Sequence, residues 1–245
     1  MRTGQLDTKD FYDAYWPANV PDKERTRAHI LGLLGDKRLG TALDAGCGTG
    51  VCSAALSERA ARVVSCDLSM GSLRSGCLAS AVNADLLELP FKDKSFDFIL
   101  SWGAIHHTRE PLRALRELSR VLDDSGQIII AVYLRTRLTF AHELARKLCL
   151  KMDAGMLKRS FIRAAAFIVR ALELAGKRNN VRDDNVSIEA QVEDWFFVPI
   201  KHFFSVDELR KAFENNGLSF EVLCPRTGRL KSSSNIIVRG YKNAL

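Results

Sequence analysis

The chain has no apolar run long enough to cross a membrane. Its longest unbroken apolar stretches, AAAFIV (164–169) and IIIAVYL (128–134), are far shorter than the roughly 20 residues that a spanning helix requires. The opening residues MRTGQLDTKD also lack the apolar segment of a secretory signal. The sequence therefore predicts a protein with no transmembrane segment and no signal peptide.

Cysteine pairs of the CxxC type are absent, as are internal repeats and low-complexity tracts. This argues against a zinc site and against a disulfide scaffold, so we expect no metal. Scattered thiols suit a reducing, cytoplasmic compartment. The six cysteines are Cys47, Cys52, Cys66, Cys77, Cys149 and Cys224.

The 245 residues suffice for one α/β domain with a sizeable core, and 47% hydrophobic with 27% charged residues excludes intrinsic disorder. The formal net charge of +7 raises nucleic acid, an anionic membrane surface or an anionic substrate as partners. This charge is local. Residues 135–178 hold eleven basic and three acidic residues, a net charge of +8, so the rest of the chain is close to neutral.

From residue 40 onwards, continuously apolar runs alternate with helical patterns, as expected for strands that helices cover on both faces. This alternation predicts right-handed βαβ units and an α/β fold with an open, doubly wound sheet. The predicted strands are 41–46, 62–68, 82–84, 96–102 and 127–134, and the predicted helices between them are 50–61, 69–81 and 111–122.

The alternation stops at about residue 135. A long basic helical stretch is predicted over 135–178 and a polar loop over 179–185. A capping box of Ser205 and Glu208 then begins another helix, and Gly217 suits its left-handed C-terminal cap. The remaining predicted elements are that helix at 206–216, strands at 218–223 and 235–240, the turn-rich segment 225–234 and helical segments within 1–39.

The strongest signal is LDAGCGTG (43–50), in which a strand leads through a glycine turn into a helix. Glycines suit a tight turn that a ligand approaches closely, at the strand ends where open α/β sheets bind ligands. The spacing is G-x-G-x-G, whereas the dinucleotide fingerprint would place its third glycine at Val51. This departure, with Asp44 just before the turn, argues against a pyrophosphate ligand.

Asp67 lies 21 residues after Gly46, at the end of the second predicted strand. A carboxylate at that position accepts hydrogen bonds from the hydroxyls of a ribose. The alternative is that Asp67 only caps the following helix. The glycine loop at this separation favours the ribose role.

Four runs in order resemble the class I S-adenosylmethionine-dependent methyltransferases, in their small-molecule branch. They are LDAGCGTG, SCDLS (65–69), NADLLELPFKDKSFDFILSWGAIHH (83–107) and LRELSRVLDDSGQIIIAVY (115–133). The resemblance implies S-adenosyl-L-methionine as cofactor and a seven-stranded sheet whose last strand is antiparallel. Together with the helical insertion that the sequence pattern predicts after the fifth strand, it predicts a single domain with an N-terminal helical lid (1–39), a cofactor-binding core (40–134), a basic helical insertion (135–190) and the C-terminal part of the core (191–245).

The same resemblance implies that the glycine loop surrounds the methionine part of the cofactor and that Asp67 holds the ribose. Asp85 and the backbone of Ala84 would face the adenine amine, unless Asp85 is only a loop cap. Ser101 and Trp102 would lie beside the methyl group, with core packing as the alternative for Trp102. The implied cofactor set is Asp44, Gly46, Cys47, Gly48, Gly50, Asp67, Leu68, Ala84, Asp85, Leu86, Ser101, Trp102 and Tyr15.

The aromatic segment FYDAYWP (11–17) near the N-terminus is a further candidate for the cofactor site. Tyr12, Tyr15 and Trp16 are expected to close over the cofactor, because a positive sulfonium is attracted to aromatic faces. Core packing of the same rings is the alternative.

Methyl transfer is an in-line displacement that positioning alone accelerates, so no catalytic residue is obligatory. Where the acceptor carries a proton a base helps, and His106, His202 and Tyr133 are the candidates, with His107 beside them. His106 and His107 resemble an HH pair of this family in which one histidine fixes the loop.

DWFFVPIKHFFS (194–205) occupies the place where this family builds its acceptor pocket. Trp195 and His202 are predicted to face the substrate, whereas packing on the sheet is the alternative for Phe196, Phe203 and Phe204.

The predicted acceptor is a small molecule that is methylated at oxygen, nitrogen or carbon. The fourth strand ends in SWGA, not in the [DNS]PP[YFW] loop of methyltransferases acting on amino groups, and neither a Pro-Cys nucleophile nor an appended RNA-binding module is evident. The alternatives are a tRNA or rRNA methyltransferase, a binding module without turnover, or a cofactor-consuming enzyme that catalyses, for example, a cyclisation. Nucleic acid is the less favoured partner.

In the basic insertion, Phe161, Ala165, Ile168 and Leu172 share one helical face at about 100° per residue, with three arginines nearly opposite. Such an amphipathic helix packs on the domain, covers an anionic or lipid-like acceptor as a lid, or contacts an anionic membrane surface. We expect the insertion to shape the acceptor site. The three arginines are Arg159, Arg163 and Arg170.

Overall fold

The computed structural model describes residues 8–19, 22–76, 78–152, 155–174, 187–224 and 235–242. The strands in these residues are β1 (Leu39–Ala45), β2 (Ala60–Asp67), β3 (Ala81–Asn83), β4 (Phe96–Trp102), β5 (Leu122–Tyr133), β6 (Glu221–Cys224) and β7 (Asn235–Tyr241). The helices are α1 (Thr8–Ala18), α2 (Lys23–Leu34), α3 (Val51–Leu56), α4 (Met70–Ser75), α5 (Pro111–Val121), α6 (Thr139–Cys149), α7 (Met156–Leu174), α8 (Ile188–Phe197) and α9 (Val206–Glu214).

The strands form one sheet in the order β3-β2-β1-β4-β5-β7-β6. The first five pair in parallel, whereas β7 is antiparallel to both β5 and β6. The predicted doubly wound α/β class with an antiparallel last strand is therefore confirmed. The strand order reverses between β1 and β4, and connections that leave a sheet in opposite directions open a crevice at the carboxyl ends of the strands.

Alternate residues of the central strands are buried on opposite faces of the sheet. Leu43 and Ile99 face the core that α5 and α9 cover. Ala42 and Phe98 face the core that α2 and α3 cover. Burial on both faces explains why these strands read as continuous apolar runs.

Several element ends differ from the sequence prediction. Helices α3 and α4 end earlier, at Leu56 and Ser75. Strand β5 begins earlier, at Leu122, because a register irregularity against β4 accommodates the polar residues 123–126. Those residues have the composition of a turn, so the sequence pattern starts the strand too late.

The C-terminal part follows the prediction closely. Ser205 and Glu208 form the capping box of α9, and Gly217 has the left-handed φ of 68° shortly after that helix ends. Strand β6 is shorter than predicted, whereas β7 matches it to within one residue. The predicted polar loop 179–185 and the turn-rich segment 225–234 lie outside the described residues.

The predicted long helical stretch after β5 consists of two helices, α6 and α7, and both contact α8. Phe161 and Ala165 of the predicted apolar face pack against the cluster around α8, whereas Ile168 and Leu172 are exposed to solvent. No helix among the described residues is long and apolar enough to cross a membrane.

Candidate active site

The loops after β1, β2, β4 and β5 meet at the carboxyl edge of the parallel strands. The loop after β1 is the glycine loop, and its backbone leaves little choice of residue. Gly46 and Gly50 have φ of 81° and 82°, and an added Cβ would overlap Ala104 or Leu78. Only glycine allows both the positive φ and the close packing at these two positions. Ala104 on one side and Leu78 on the other therefore hold the loop in one conformation.

Asp67 stands at the end of β2 beside this loop. The backbone amides of Gly48 and Ser69 each donate to one of its carboxylate oxygens at 2.8 Å. Burial raises the pKa of Asp67, and these hydrogen bonds oppose the rise. Each oxygen keeps a second acceptor position, as a ribose diol requires. Asp67 is not itself the N-cap of α4, which is Ser69, although its bond to the Ser69 amide helps to fix the turn before that helix.

Asp44, at the end of β1, is fully buried. Ser53 Oγ donates to its Oδ2 at 2.5 Å, but Oδ1 has no hydrogen-bond partner in the described part of the chain. Burial raises the pKa of Asp44 to about 7. A buried carboxyl oxygen without a partner, next to the glycine loop, fits a ligand that brings a hydrogen-bond donor.

Helix α1 lies across this part of the site. Asp13 Oδ1 accepts from Ser69 Oγ at 2.5 Å and from the Gly71 amide at 2.9 Å, which ties α1 to the start of α4. The Trp16 ring faces the glycine loop, since an added Cβ at Gly48 would lie 3.7 Å from it. An aromatic face therefore lies on the loop predicted to hold the methionine part of the cofactor.

Three predicted cofactor residues direct their side chains into the protein. The Tyr15 hydroxyl donates to the Ala190 carbonyl of α8 at 3.1 Å, so the aromatic residue at the glycine loop is Trp16 instead. Ser101 Oγ donates to the Ala45 carbonyl at 3.0 Å. Trp102 packs edge-on against His29 of α2, which is the core-packing alternative. The predicted side-chain contacts of these residues with the cofactor are therefore not favoured.

The other predicted cofactor residues lie on the loops after β2 and β3 and on the glycine loop. Asp85 is exposed and its Oδ1 accepts from the Leu87 amide at 2.9 Å, so it is at least a loop cap. Leu68 exposes 42% of its surface directly after Asp67. The side chains of Cys47, Ala84 and Leu86 are buried.

Four residues, Tyr12 of α1, Tyr133 of β5, Asp194 of α8 and Lys201 of the loop after α8, form what we call the Asp194 network, in which Tyr12 is partly buried and the other three are buried. Lys201 Nζ donates to Asp194 Oδ2 at 2.8 Å and stands 4.0 Å from the centre of the Tyr133 ring. The Tyr133 hydroxyl donates to the same oxygen at 2.7 Å, and the Tyr12 hydroxyl donates to Oδ1 at 3.0 Å. Burial alone would raise the pKa of Asp194, but the Lys201 ammonium and these hydrogen bonds hold it well below its usual range.

The two histidines after β4 lie beside this network. His107 Nδ1 is 2.8 Å from the Ile200 carbonyl, which only accepts, so this nitrogen carries the proton. Burial lowers the pKa of His107 to about 4 and that of His106 well below its usual value, so both rings are neutral at pH 7. The His106 ring lies 4.5 Å from that of Tyr133, and its Nδ1 has no hydrogen-bond partner within the described ranges.

A cleft of about 330 Å³ adjoins the network through Lys201. Of the three predicted catalytic residues, His202 is the one that lines this cleft, and burial lowers its pKa. Trp195, which was also predicted to face the substrate, does not line the cleft and packs against the cluster that α7 and α8 form. The lining residues are Arg135, Thr136, Arg137, Thr139, Phe140, Glu143, Lys201, His202 and Phe203.

Comparison with known proteins agrees with this arrangement. Residues 43–130 match the family model described as a methyltransferase domain, and the match covers the glycine loop, Asp67 and both histidines. Residues 43–130 are thus similar to methyltransferase domains, and the seven-stranded sheet has the Rossmann-like fold of such domains. A solved methyltransferase with this fold holds S-adenosylhomocysteine.

Two curated relatives match part of the chain in sequence. The chain is 40% identical over 98 residues to the demethylmenaquinone methyltransferase of Clavibacter sepedonicus. The match covers 37% of this chain and 40% of that protein. The chain is also 40% identical over 98 residues to the human probable tRNA methyltransferase 9B, over 37% of this chain and 20% of that protein. The chain thus spans less than half the length of these relatives.

The magnesium protoporphyrin IX methyltransferase of Synechocystis, solved with bound SAH, has a similar fold. It aligns with 98% of this chain and 90% of its own at a TM-score of 0.53 and 14% sequence identity.

The sequence gives no role to three polar residues that join separate elements in the structure. Asp13, Asp194 and Lys201 all lie within aromatic segments of the sequence. One signal was present: an acidic and a basic residue within the apolar run DWFFVPIKHFF must find partners if that run is buried. The partners themselves, on β5 and α1, are distant in sequence and carry no local pattern.

Proposed function

We propose that the chain transfers a methyl group from S-adenosylmethionine to the oxygen, nitrogen or carbon of a small molecule with an anionic or polar head. The observation that carries the proposal is the path of α1. It contacts the glycine loop through Trp16, the Asp67 loop through Asp13 bonded to Ser69, and the Asp194 network through Tyr12. One helix thus borders both a cofactor-type site and a buried polar site.

The residues at the glycine loop fit the cofactor. The free acceptor positions of Asp67 suit the two ribose hydroxyls, and the partnerless Oδ1 of Asp44 suits a donor of the methionine part. The Trp16 face suits the positive sulfonium. When bound, the cofactor supplies an electrophilic methyl group.

The cleft fits an acceptor with an anionic head and apolar parts. Of the three basic residues that line it, Lys201 is paired with Asp194 and Arg135 with Glu208, while Arg137 and the acidic Glu143 complete the charged lining. Phe140 and Phe203 supply apolar lining. The apolar lining supports the lipid-like acceptor expected from the sequence, and Arg137 is the basic residue of the lining that could meet an anionic group. Demethylmenaquinone, named for one relative, is an acceptor of the lipid-like kind and is a suitable first compound to assay.

His202 takes the role of base in this proposal, while Tyr133 and His106 are positioning residues. Methyl transfer to an O–H or N–H group releases one proton, and a neutral ring that lines the cleft can accept it. The Tyr133 hydroxyl already donates its proton to Asp194. The strongly lowered pKa of the buried His106 makes it a poor proton acceptor.

Calorimetry with S-adenosylmethionine tests the cofactor assignment. Asp67→Asn weakens hydrogen bonds to a charged group, which are worth about 1.5–3 kcal/mol, so we expect roughly 10- to 100-fold weaker binding. Asp36→Asn, at a fully exposed carboxylate after α2, is the matched control and should leave the affinity unchanged. Failure of the wild type to bind, or undiminished binding by Asp67→Asn, would refute the assignment.

Transfer to tRNA or rRNA is the alternative with an observation in its favour, the basic insertion. Incorporation of labelled methyl groups into RNA, together with RNA binding that falls steeply with salt, would favour it. A cofactor-consuming reaction such as cyclisation would form products without equimolar S-adenosylhomocysteine and methylated acceptor. Equimolar formation of both products with a small acceptor and none with RNA is the expected result.

The remaining assignments concern the chain as a whole. We propose the single-domain division made from the sequence, with 1–39 as lid, 40–134 as cofactor core, 135–190 as insertion and 191–245 as the rest of the core. The five described cysteines are free thiols, which supports a reducing compartment such as the cytoplasm.

A further inference from the structure

The insertion exposes an unusual amount of apolar side-chain surface. On α6, three large apolar residues at four-residue spacing, Phe140, Leu144 and Leu148, face solvent, and Phe140 exposes 80% of its surface. Residues four apart lie on one side of a helix. Single exposed apolar residues are ordinary, but a stripe of three along one helix marks an interaction surface.

Helix α7 has two apolar sides. One side, with Phe161, Ile162 and Ala166, packs against the residues of α8. The other side carries Met156 and Phe167, which expose 83% and 72% of their surfaces. A helix with a second apolar side that faces solvent requires a partner in addition to the domain on which it packs. The exposed side also carries Leu157, Ala164, Ile168, Ala171 and Leu174.

Both exposed sides belong to one region of the molecule. The ring of Phe196 in α8 contacts His142 of α6 and Phe161 of α7, so both helices lie on the same side of α8. Their buried sides face α8, and their exposed apolar sides therefore face away from it. We call the exposed sides of α6 and α7 together the insertion face.

Basic residues border the insertion face. At roughly 100° per residue, Arg159 lies about 60–80° and Arg163 about 20–40° from Met156 and Phe167 around the helix axis. Lys147 and Lys151 lie beside the α6 stripe. These four residues form no ion pair with acidic residues in the part of the chain that the structure describes. The Arg170 charge, by contrast, is paired with Glu189. Cationic charge next to exposed apolar side chains is complementary to a surface that is anionic outside and apolar beneath.

We propose that the insertion face docks this protein on an anionic lipid bilayer, with α6 and α7 in the plane of the interface. Apolar side chains enter the acyl boundary while flanking lysines and arginines contact lipid phosphates. A nucleic acid would use the charges but leave Phe140, Met156 and Phe167 in water. A second copy of the chain would bring like charge against like charge. The lipid surface alone satisfies both features.

The insertion face is continuous with the cleft. Phe140, the first residue of the α6 stripe, also lines the cleft next to Arg137 and His202. A docked protein would therefore open its cleft at the lipid surface. The docking itself needs neither cofactor nor acceptor, so it stands or falls independently of the proposed methyl transfer.

Vesicle flotation of the full chain tests this proposal, with phosphatidylcholine vesicles that contain or lack about one third phosphatidylglycerol. The test variant is Arg163→Glu/Phe167→Glu. Its matched control is Leu112→Glu/Arg116→Glu on α5, which has the same four-residue spacing, the same charge change and a Leu112 side chain that is 55% exposed. Since these positions are exposed, we expect thermal unfolding of both variants to stay close to that of the wild type.

The wild type and the control should float with the anionic vesicles. Each basic residue near such a surface contributes about fivefold to partitioning, so charge reversal with loss of one apolar contact should lower it about 20-fold or more. Raised salt should weaken binding. Equal binding to neutral vesicles, equal loss in both variants, or no binding overturns the proposal. So does a wild-type dimer that Phe167→Glu dissociates, or RNA binding that this variant abolishes while vesicle binding is unaffected.

Discussion

Among substitutions in the site that keep the size and shape of the side chain, Asp194→Asn should be the most destabilising. It removes the carboxylate that the buried Lys201 ammonium contacts at 2.8 Å, and it replaces one acceptor oxygen by an NH₂ group. Lys201 and two tyrosine hydroxyls all donate to this carboxylate. The variant therefore removes the negative charge beside the buried Lys201 ammonium. It also places an NH₂ group, which is a donor, next to groups that donate to Asp194 in the wild type.

The magnitude follows from burial of the pair. Both side chains expose less than one tenth of their surface, at 1% for Lys201 and 8% for Asp194. Breaking such a pair by removing one partner costs about 3–5 kcal/mol, out of a total stability of about 5–15 kcal/mol. For a chain of this length we expect a fall in Tm of roughly 6–20 °C.

Urea unfolding at pH 7.5, followed by circular dichroism, measures this loss as a change in midpoint at constant slope. The double variant Asp194→Asn/Lys201→Met removes the unpaired charge and should recover at least about 2 kcal/mol of the loss. Asp124→Asn is the matched control, because Asp124 forms ion pairs with Lys94 and Lys242 and its side chain is exposed to solvent. It should cost less than about 1 kcal/mol.

Two outcomes would refute this reasoning. One is an Asp194→Asn variant as stable as the Asp124→Asn control, since that would mean that the pair is not buried as described. The other is a double variant whose loss equals or exceeds the sum of the two single losses, since the damage would then come from lost packing and not from an uncompensated charge.

Two further predictions concern the histidine loop and α1. Burial lowers the pKa of His107 from 6.5 to about 4. As the pH falls from 6.5 to 4, the unfolded state therefore binds a proton at His107 before the folded state does. The free energy of unfolding should fall by about 3 kcal/mol over this pH range through His107 alone. Urea midpoints between pH 7 and 4 should fall less steeply in His107→Gln, and an unchanged slope would contradict the burial. Trp16→Leu should weaken S-adenosylmethionine binding about fivefold or more in calorimetry, whereas Tyr15→Phe, which keeps its ring, should not; the reverse order would return the cofactor contact to Tyr15.

The sequence predicted the β4 bounds without error, and for a physical reason. The centre of FDFILSW, Phe98 to Leu100, is apolar and buried on both faces of the sheet, with one polar residue, Asp97 or Ser101, on each side of it. The glycine loop could also be predicted from the sequence, because a left-handed backbone in close contact with Ala104 allows only glycine. Where one residue's own conformation or burial decides the structure, the sequence records it.

The Asp194 network could not be predicted in the same way. Its donors come from α1, β5 and the loop after α8, and Tyr12 lies 182 residues from Asp194. No periodicity connects such positions, so the sequence predicted two aromatic segments where the structure has one hydrogen-bonded cluster. The two sides of α7 were ambiguous for a related reason: both are apolar, and only tertiary packing decides that Phe161 is covered and Phe167 is not.

The position of α1 has a thermodynamic consequence. Its Asp13 is bonded to the loop that holds Asp67, and its Tyr12 is bonded to Asp194. A ligand that shifts α1 at one of these places changes the free energy of the other. Linkage then requires reciprocity: the factor by which one bound ligand alters the affinity for the second equals the factor by which the second alters the affinity for the first. We therefore expect the two binding equilibria to be coupled through a helix of eleven residues.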